Sequence, residues 1–122
     1  MKTQLKKGTL EMCVLALLAR TDSYAYELVS RLADCMEISE GTIYPLMRRL
    51  QGEGWVSTYL VESPSGPSRK YYALTEAGHD SLATMQTEWQ EFVAEVNSVL
   101  VPPPLGSAAG AIKRDNSQGD SK

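Results

Sequence analysis

Two guanidinium groups and a phenol, Arg48, Arg49 and Tyr44, stand within one short stretch, ISEGTIYPLMRRLQGEG at residues 38–54. Arginine neutralises phosphate, and its planar fork of donors grips the O6 and N7 edge of guanine. That is recognition chemistry, and it needs a support that can carry the groups to a duplex. Ile43, Leu46, Met47 and Leu50 recur at i, i+3, i+4 and i+7, the period of one helix face. The opposite stripe is Gly41, Pro45, Arg48 and Gly52, flanked by Tyr44 and Arg49. An interior glycine costs about 1 kcal/mol relative to alanine, and Pro45 gives up a helical hydrogen bond unless it lies in the first turn. Such a face is poor as helix but slim. A slim, mildly basic helix suits the DNA major groove, roughly 12 Å wide. A solvated amphipathic helix that tolerates poor formers shows the same pattern, so this stretch alone leaves both readings open.

The flanking segments show what must position it. Residues 10–19 are apolar at every position except Glu11, and a helix hydrophobic nearly all round is covered on most sides. In so small a domain the cover is expected to include a second copy of the chain. A polar break follows, in which Asp22 or Ser23 can cap the next helix, at about residues 24–33. Ala25, Leu28, Val29 and Leu32 form its inner stripe, with Glu27, Ser30, Arg31 and Asp34 outward. Ser39 is placed to cap the arginine-bearing helix. Two short helices joined tightly, the second with a reading face, have the outline of a helix-turn-helix.

After Gly54, suited to a left-handed helix end, the pattern changes. Residues 55–62 (WVSTYLVE) and 69–74 (RKYYAL) are β-branched and aromatic, and residues 63–68 (SPSGPS) are turn chemistry. A hairpin directly after a helix-turn-helix is a wing. Arg69 and Lys70 stand where its second strand leaves the tip. The combination is more specific than either part.

Thr75 caps a last helix, and Glu76 sits in its first turn, where the macrodipole favours negative charge. Leu82, Met85, Trp89, Phe92, Val96 and Val99 follow at spacings of three and four, an a/d seam. A helix of about 25 residues reaches roughly 37 Å, too long to pack fully on so small a domain. The seam is therefore expected to meet the same helix of a second copy, making a homodimer. Pro102, Pro103 and Pro104 end it. The expected fold is mainly α with a small β-hairpin: a winged helix-turn-helix over residues 1–74, a dimerisation helix over 75–100 and a disordered tail over 101–122.

Net charge is -3, which does not advertise nucleic-acid binding, but the distribution is lopsided. Residues 75–100 carry Glu76, Asp80, Glu88, Glu91 and Glu95 and no lysine or arginine. Lys2, Lys6, Lys7, Arg48, Arg49, Arg69 and Lys70 all precede them. The local field at a contact surface matters more than the sum. Cys13, in an apolar run, reads as a buried small hydrophobe, and Cys35 lies near a helix end; neither has a metal or redox spacing. With His79 the lone histidine and no phosphate loop or paired carboxylates, no catalytic constellation, metal site or cofactor is expected. The apolar run after Lys2, Lys6 and Lys7 is too short for a membrane span and lacks a cleavage site, so a cytoplasmic protein is expected.

Three runs, GTLEMCVLALLA, SEGTIYPLMRRLQGEGWV and SRKYYALTEAGH, together resemble the PadR family of bacterial transcriptional regulators over residues 8–80. The resemblance implies a winged helix-turn-helix, dimerisation through the C-terminal helix, and repression relieved by a small molecule or stress. The single C-terminal helix is like that of the short members. By the same resemblance Thr42, Tyr44 and Arg48 take recognition-helix positions, and Arg69 and Lys70 the basic wing. Trp89 falls where some short members carry a tryptophan near the dimer centre, where flat aromatic compounds bind.

On this reading phosphate neutralisation by Arg49, Arg69, Lys70, Lys6 and Lys7 supplies most of the affinity for double-stranded DNA. Arg48, with Tyr44 and Thr42, reaches base edges, and a dimer selects a palindromic site. Alternatives stand beside each assignment. Arg48 can be a phosphate contact, Tyr44 can pack against the first turn, and Trp89 can be plain seam core rather than an aromatic wall for a planar ligand. Glu88, Glu91 and Glu95 suit a cationic ligand or a solvated face. A winged helix used for protein–protein contact would suit the overall acidity.

Overall fold

The computed structural model describes residues 8–102. In chain order these form α1 (Leu10–Arg20), β1 (Ser23–Tyr24), α2 (Ala25–Ala33), α3 (Glu40–Gly52), β2 (Val56–Ser63), β3 (Gly66–Leu74) and α4 (Glu76–Leu100). Of the described residues, those up to 87 belong to one compact unit and those from 88 onward to a second. The expected tail, from residue 103 onward, lies outside the described residues.

The core of the first unit is built where the helical periods predict it. All four residues of the inner stripe of α3, Ile43, Leu46, Met47 and Leu50, are buried, against Val14, Leu15 and Leu18 of α1 and Leu28 and Leu32 of α2. Each such side chain contributes about 1.5–3 kcal/mol through burial, so α3 is held by this stripe despite its poor helix formers. Around α1 the cover is uneven. Leu10, Met12, Ala16 and Leu17 are half-buried, and so is Cys13, which was expected fully inside.

The join between α1 and α2 departs from expectation. Neither Asp22 nor Ser23 caps α2; Ser23 and Tyr24 are extended and pair with Tyr72 and Tyr71 of β3 as a third strand. Ser23 is completely buried, and its Oγ accepts a 2.6 Å hydrogen bond from Arg31 Nη1 and donates to the Thr21 carbonyl at 3.2 Å. Arg31 therefore turns inward rather than outward, and its Nη2 donates to the Leu17 carbonyl at 3.4 Å. The physical reason is satisfaction. A buried hydroxyl and the last carbonyls of α1 both need partners, and one guanidinium serves both. The N-cap of α2 is Tyr24, whose backbone N–H donates to Glu27 Oε1 at 3.2 Å.

Helix α3 ends on a left-handed glycine, as predicted, with Gly54 at φ 81°. The Gly54 N–H donates to the Gln51 carbonyl and the Trp55 N–H to the Leu50 carbonyl, both at 3.0 Å. This is the Schellman pattern, and it delivers the Trp55 side chain onto the core. In the antiparallel sheet, ordered β1-β3-β2, the hairpin tip is shorter than the predicted six-residue turn. Val61 pairs with Arg69 and Ser63 with Gly66, so Glu62 faces both Pro67 and Ser68 across a bulge. The bulge absorbs Pro67, which has no N–H for a ladder.

Thr75 caps α4 as predicted, its Oγ1 accepting from the Gly78 N–H at 3.0 Å. The same hydroxyl donates to the Gly54 carbonyl at 2.7 Å, and the Thr75 N–H donates to the Trp55 carbonyl at 3.1 Å. Gly78 is buried against this junction. A Cβ there would lie 2.2 Å from the Trp55 carbonyl oxygen and 2.6 Å from Leu74 Cδ1. Of the seam, Leu82 is buried in this unit and Met85 packs on its core. In the second unit Trp89 is 43%, Phe92 56% and Val99 81% exposed, with Val96 half-buried. Among the described residues no helix is long and apolar enough to cross a membrane.

Two predictions follow from this packing. Gly78→Ala should lower unfolding free energy by about 1–3 kcal/mol through overpacking, although alanine is the better helix former. Gly52→Ala, with nothing within 4 Å of the added Cβ, should raise it by up to about 1 kcal/mol; urea unfolding of both variants reads the contrast. For the thiols, burial raises the Cys13 pKa above its ordinary value and the charge of Cys35 adds to the rise. Less thiolate forms at a given pH, so at pH 8 Ellman's reagent should label exposed Cys35 rapidly and Cys13 slowly, read in the two single Cys→Ser variants.

Candidate nucleic-acid interface

Burying one stripe of α3 leaves Gly41, Pro45, Arg48 and Gly52 facing outward, and all four are exposed. Pro45 lies in the second turn, so it cannot donate to the Gly41 carbonyl four residues back. Between the two arginines and the helix start the surface is therefore largely backbone and a flat proline ring. Arg48 rises from this low ground. Among the described residues its side chain makes no hydrogen bond or ion pair. Tyr44 is 44% exposed. Gln51, which the sequence reading passed over, shares Tyr44's line along the helix at a spacing of seven and is exposed. Only the helix geometry, applied to the outer residues as well as the inner, would have brought it out.

Thr42 and Arg49 lie along the other flank, and both are engaged. The Thr42 hydroxyl shares a 3.3 Å hydrogen bond with that of Ser39, the N-cap residue. Arg49 reaches to α1, where its Nε donates to Glu11 Oε2 at 2.8 Å and its Nη2 bonds the same oxygen. The arginine side chain stays 56% exposed while the glutamate is only 22% exposed. Glu11, in sequence no more than an interruption of an apolar run, is thus the partner of a residue expected to meet phosphate freely.

On the wing, Arg69 and Lys70 are neighbours on one strand and so point to opposite faces of the sheet. Arg69 shares the outer face with Tyr71. Its Cζ sits 4.7 Å from the Tyr24 ring centroid, and its Nη1 donates to the Tyr24 hydroxyl at 2.8 Å. Lys70 lies on the other face, its Nζ 5.7 Å from the ring of buried Tyr72. Register explains the outer face. Tyr59 opposes Tyr71 and Tyr71 opposes Tyr24, so three phenols line up across three strands. The ring centroids are 5.8 Å apart in the stacked pair and 5.4 Å in the edge-on pair. Each such pair is worth about 0.5–1.5 kcal/mol beyond its buried area. At the row's end the Tyr59 hydroxyl donates to Asp22 Oδ2 at 2.6 Å, and this bond to a carboxylate raises the phenol's pKa above its ordinary value.

The arrangement brings Thr42, Tyr44, Arg48 and Arg49 onto one helix, with one guanidinium free of partners among the described residues and one held. It places the two wing cations on opposite sides of a braced sheet. Lys6 and Lys7 lie outside the described residues. Among the described residues no group of three His, Cys, Asp or Glu side chains could hold a metal ion.

Comparison with known proteins bears on the family and the fold. The model of the transcriptional regulator PadR-like family matches residues 14–84. A PadR-like transcriptional regulator from Bacillus cereus is 36% identical, with a TM-score of 0.75 over 82% of this chain and 99% of that one. A PadR family transcriptional regulator from Eggerthella lenta is also 36% identical, with a TM-score of 0.76 over 84% of this chain and 91% of that one. An uncharacterized protein of Lysinibacillus sphaericus is 28% identical over 94 residues, covering 74% of this chain and 86% of that protein.

Proposed function

The chain belongs to the PadR-like family of transcriptional regulators, and from that premise we propose that it binds double-stranded DNA as a homodimer and represses transcription in the cytoplasm. The observation that carries the reading is Arg48. It is an arginine whose side chain has no partner among the described residues, raised on a helix face of glycine and proline whose opposite face is buried. Such a face lets the backbone of α3 enter the major groove deeply enough for the guanidinium to reach a guanine edge. Tyr44 and Thr42 flank it as further base or sugar contacts. Lys70, together with Lys6 and Lys7, supplies phosphate neutralisation, which is independent of sequence. Arg49 and Arg69 have internal partners to leave before they can do the same.

The seam of α4 supports the dimer. Trp89, Phe92, Val96 and Val99 continue the spacing begun by Leu82 and Met85, and Trp89, Phe92 and Val99 are substantially exposed in one copy. Two copies joined there would hold their α3 helices about 34 Å apart and select a palindromic operator. A planar aromatic effector is proposed to stack on Trp89, changing how the copies are joined and releasing the operator.

Two experiments test the proposal. Arg48→Ala should weaken binding to an operator selected from genomic DNA by about tenfold or more, since a bidentate arginine–guanine pair is worth about 1–3 kcal/mol. Sedimentation should show the variant to be the same dimer as the unaltered chain; undiminished affinity, or a monomer, would count against the reading. Titration with planar dyes should quench tryptophan emission in the unaltered chain. In Trp89→Phe, where Trp55 alone emits, the quenching should vanish; equal quenching in both would exclude Trp89 as the wall.

A further inference from the structure

We infer that Glu11 is a positioning residue for DNA recognition: it holds Arg49 against α1 and keeps that charge out of the contact with the duplex. The inference rests on the DNA-binding reading above and goes beyond it.

Three observations support it. Glu11 is the one charged residue among residues 10–19, and its side chain is largely covered. A carboxylate in that setting needs a charged partner more than an exposed one does. The partner comes from α3, not from the neighbouring turns of α1. Arg49 spends two donors, Nε and Nη2, on the one Glu11 oxygen, which fixes the guanidinium's direction as well as its charge. Finally, the adjacent arginine has no side-chain partner among the described residues. Arg48 and Arg49 look equivalent in sequence, yet among the described residues Arg49 has a carboxylate partner and Arg48 has none.

Neutralisation has a thermodynamic signature. A cation that reaches a phosphate releases condensed counterions, and each such contact adds about 0.9 to the slope of log K against log salt. An arginine already paired with a carboxylate adds none. Of two neighbouring arginines, then, one serves the duplex and the other fastens the reading helix to α1. Sequence-independent affinity is held down while the helix stays oriented.

Because phosphate contacts ignore sequence, no operator is needed for the test. Fluorescence anisotropy with a fluorescein-labelled duplex of random sequence, titrated from 50 to 200 mM salt, reads the slope directly. Glu11→Gln keeps the side chain's size and should steepen the slope by about 0.9, an extra loss of affinity of about 3.5-fold across that range. Placed in an Arg49→Gln background, the same change should leave the slope where Arg49→Gln put it. Glu11→Ala gives the same readout by a second route, and circular dichroism confirms that each variant is folded. An unchanged slope in Glu11→Gln, or equal steepening with and without Arg49, would overturn the inference while leaving the DNA-binding reading intact. Absence of salt-dependent binding by the unaltered chain would overturn both.

Discussion

The backbone around Trp55 is the constraint on which the rest of the first unit depends. Its N–H closes the end of α3 on the Leu50 carbonyl, and its own carbonyl accepts the Thr75 N–H. Its side chain packs on the core. The same carbonyl lies so near Gly78 that no β-carbon fits between them. The left-handed turn at Gly54 would strand a carbonyl, and the Thr75 hydroxyl takes it while also capping α4. Four chain segments thus converge within a few hydrogen bonds: the end of α3, the start of β2, the end of β3 and the first turn of α4. None can be re-aimed alone. In a regulator of this family, whatever fixes the first turns of α4 also fixes the helix that carries Arg48.

Electrostatics explain how an acidic chain can present a basic reading edge. Several of its cations act as internal fasteners. Arg31 ties α2 to Ser23 and to the end of α1, Arg49 ties α3 to α1, and Arg69 ties β3 to Tyr24. A partly exposed ion pair such as Arg49–Glu11 contributes about 0–1 kcal/mol to stability, a small addition to a helix whose stripe already buries four large side chains. Its effect is directional. The same holds for Arg69, since the tyrosine row braces the sheet whether or not the guanidinium sits over its end. Counting lysines and arginines therefore overstates the charge available to a partner, and net charge understates the local field at Arg48.

Much of this was legible in sequence because the signals are local. The inner stripe of α3 follows from spacings of three and four. The stop at Gly54 follows from a residue that tolerates positive φ, and the cap at Thr75 from a hydroxyl followed by a helical run. What was not legible required knowing what lies opposite. Strand β1 is two residues long and has no period of its own; it exists because Ser23 and Tyr24 meet Tyr72 and Tyr71. Arg31 reads as a surface residue until Ser23 is seen to be buried beneath it. The hairpin tip reads as six residues of turn chemistry, but a bulge lets Pro67 and Ser68 remain in the strand. Arg49 and Glu11 are separated by 38 positions, beyond any helical spacing. The candidate site was thus visible as a list of cations and invisible as a division between free and held ones.

The seam of α4 shows the same limit from the other side. Its apolar residues recur uniformly, since an a/d position looks alike whether its own domain or another chain covers it. Burial is not uniform: Leu82 is inside, while Phe92 and Val99 are mostly exposed. The segment 88–100 carries Glu88, Glu91 and Glu95 and no lysine or arginine to pair with them along the helix. This half of the 25-residue helix α4 therefore has no oppositely charged pairs along it to offset its exposed apolar residues. An exposed apolar seam of this kind is stabilised when a second apolar surface covers it. In the dimer proposed above, another copy of the same helix would bring a surface of matching spacing, and with it the two-fold relation of a palindromic operator.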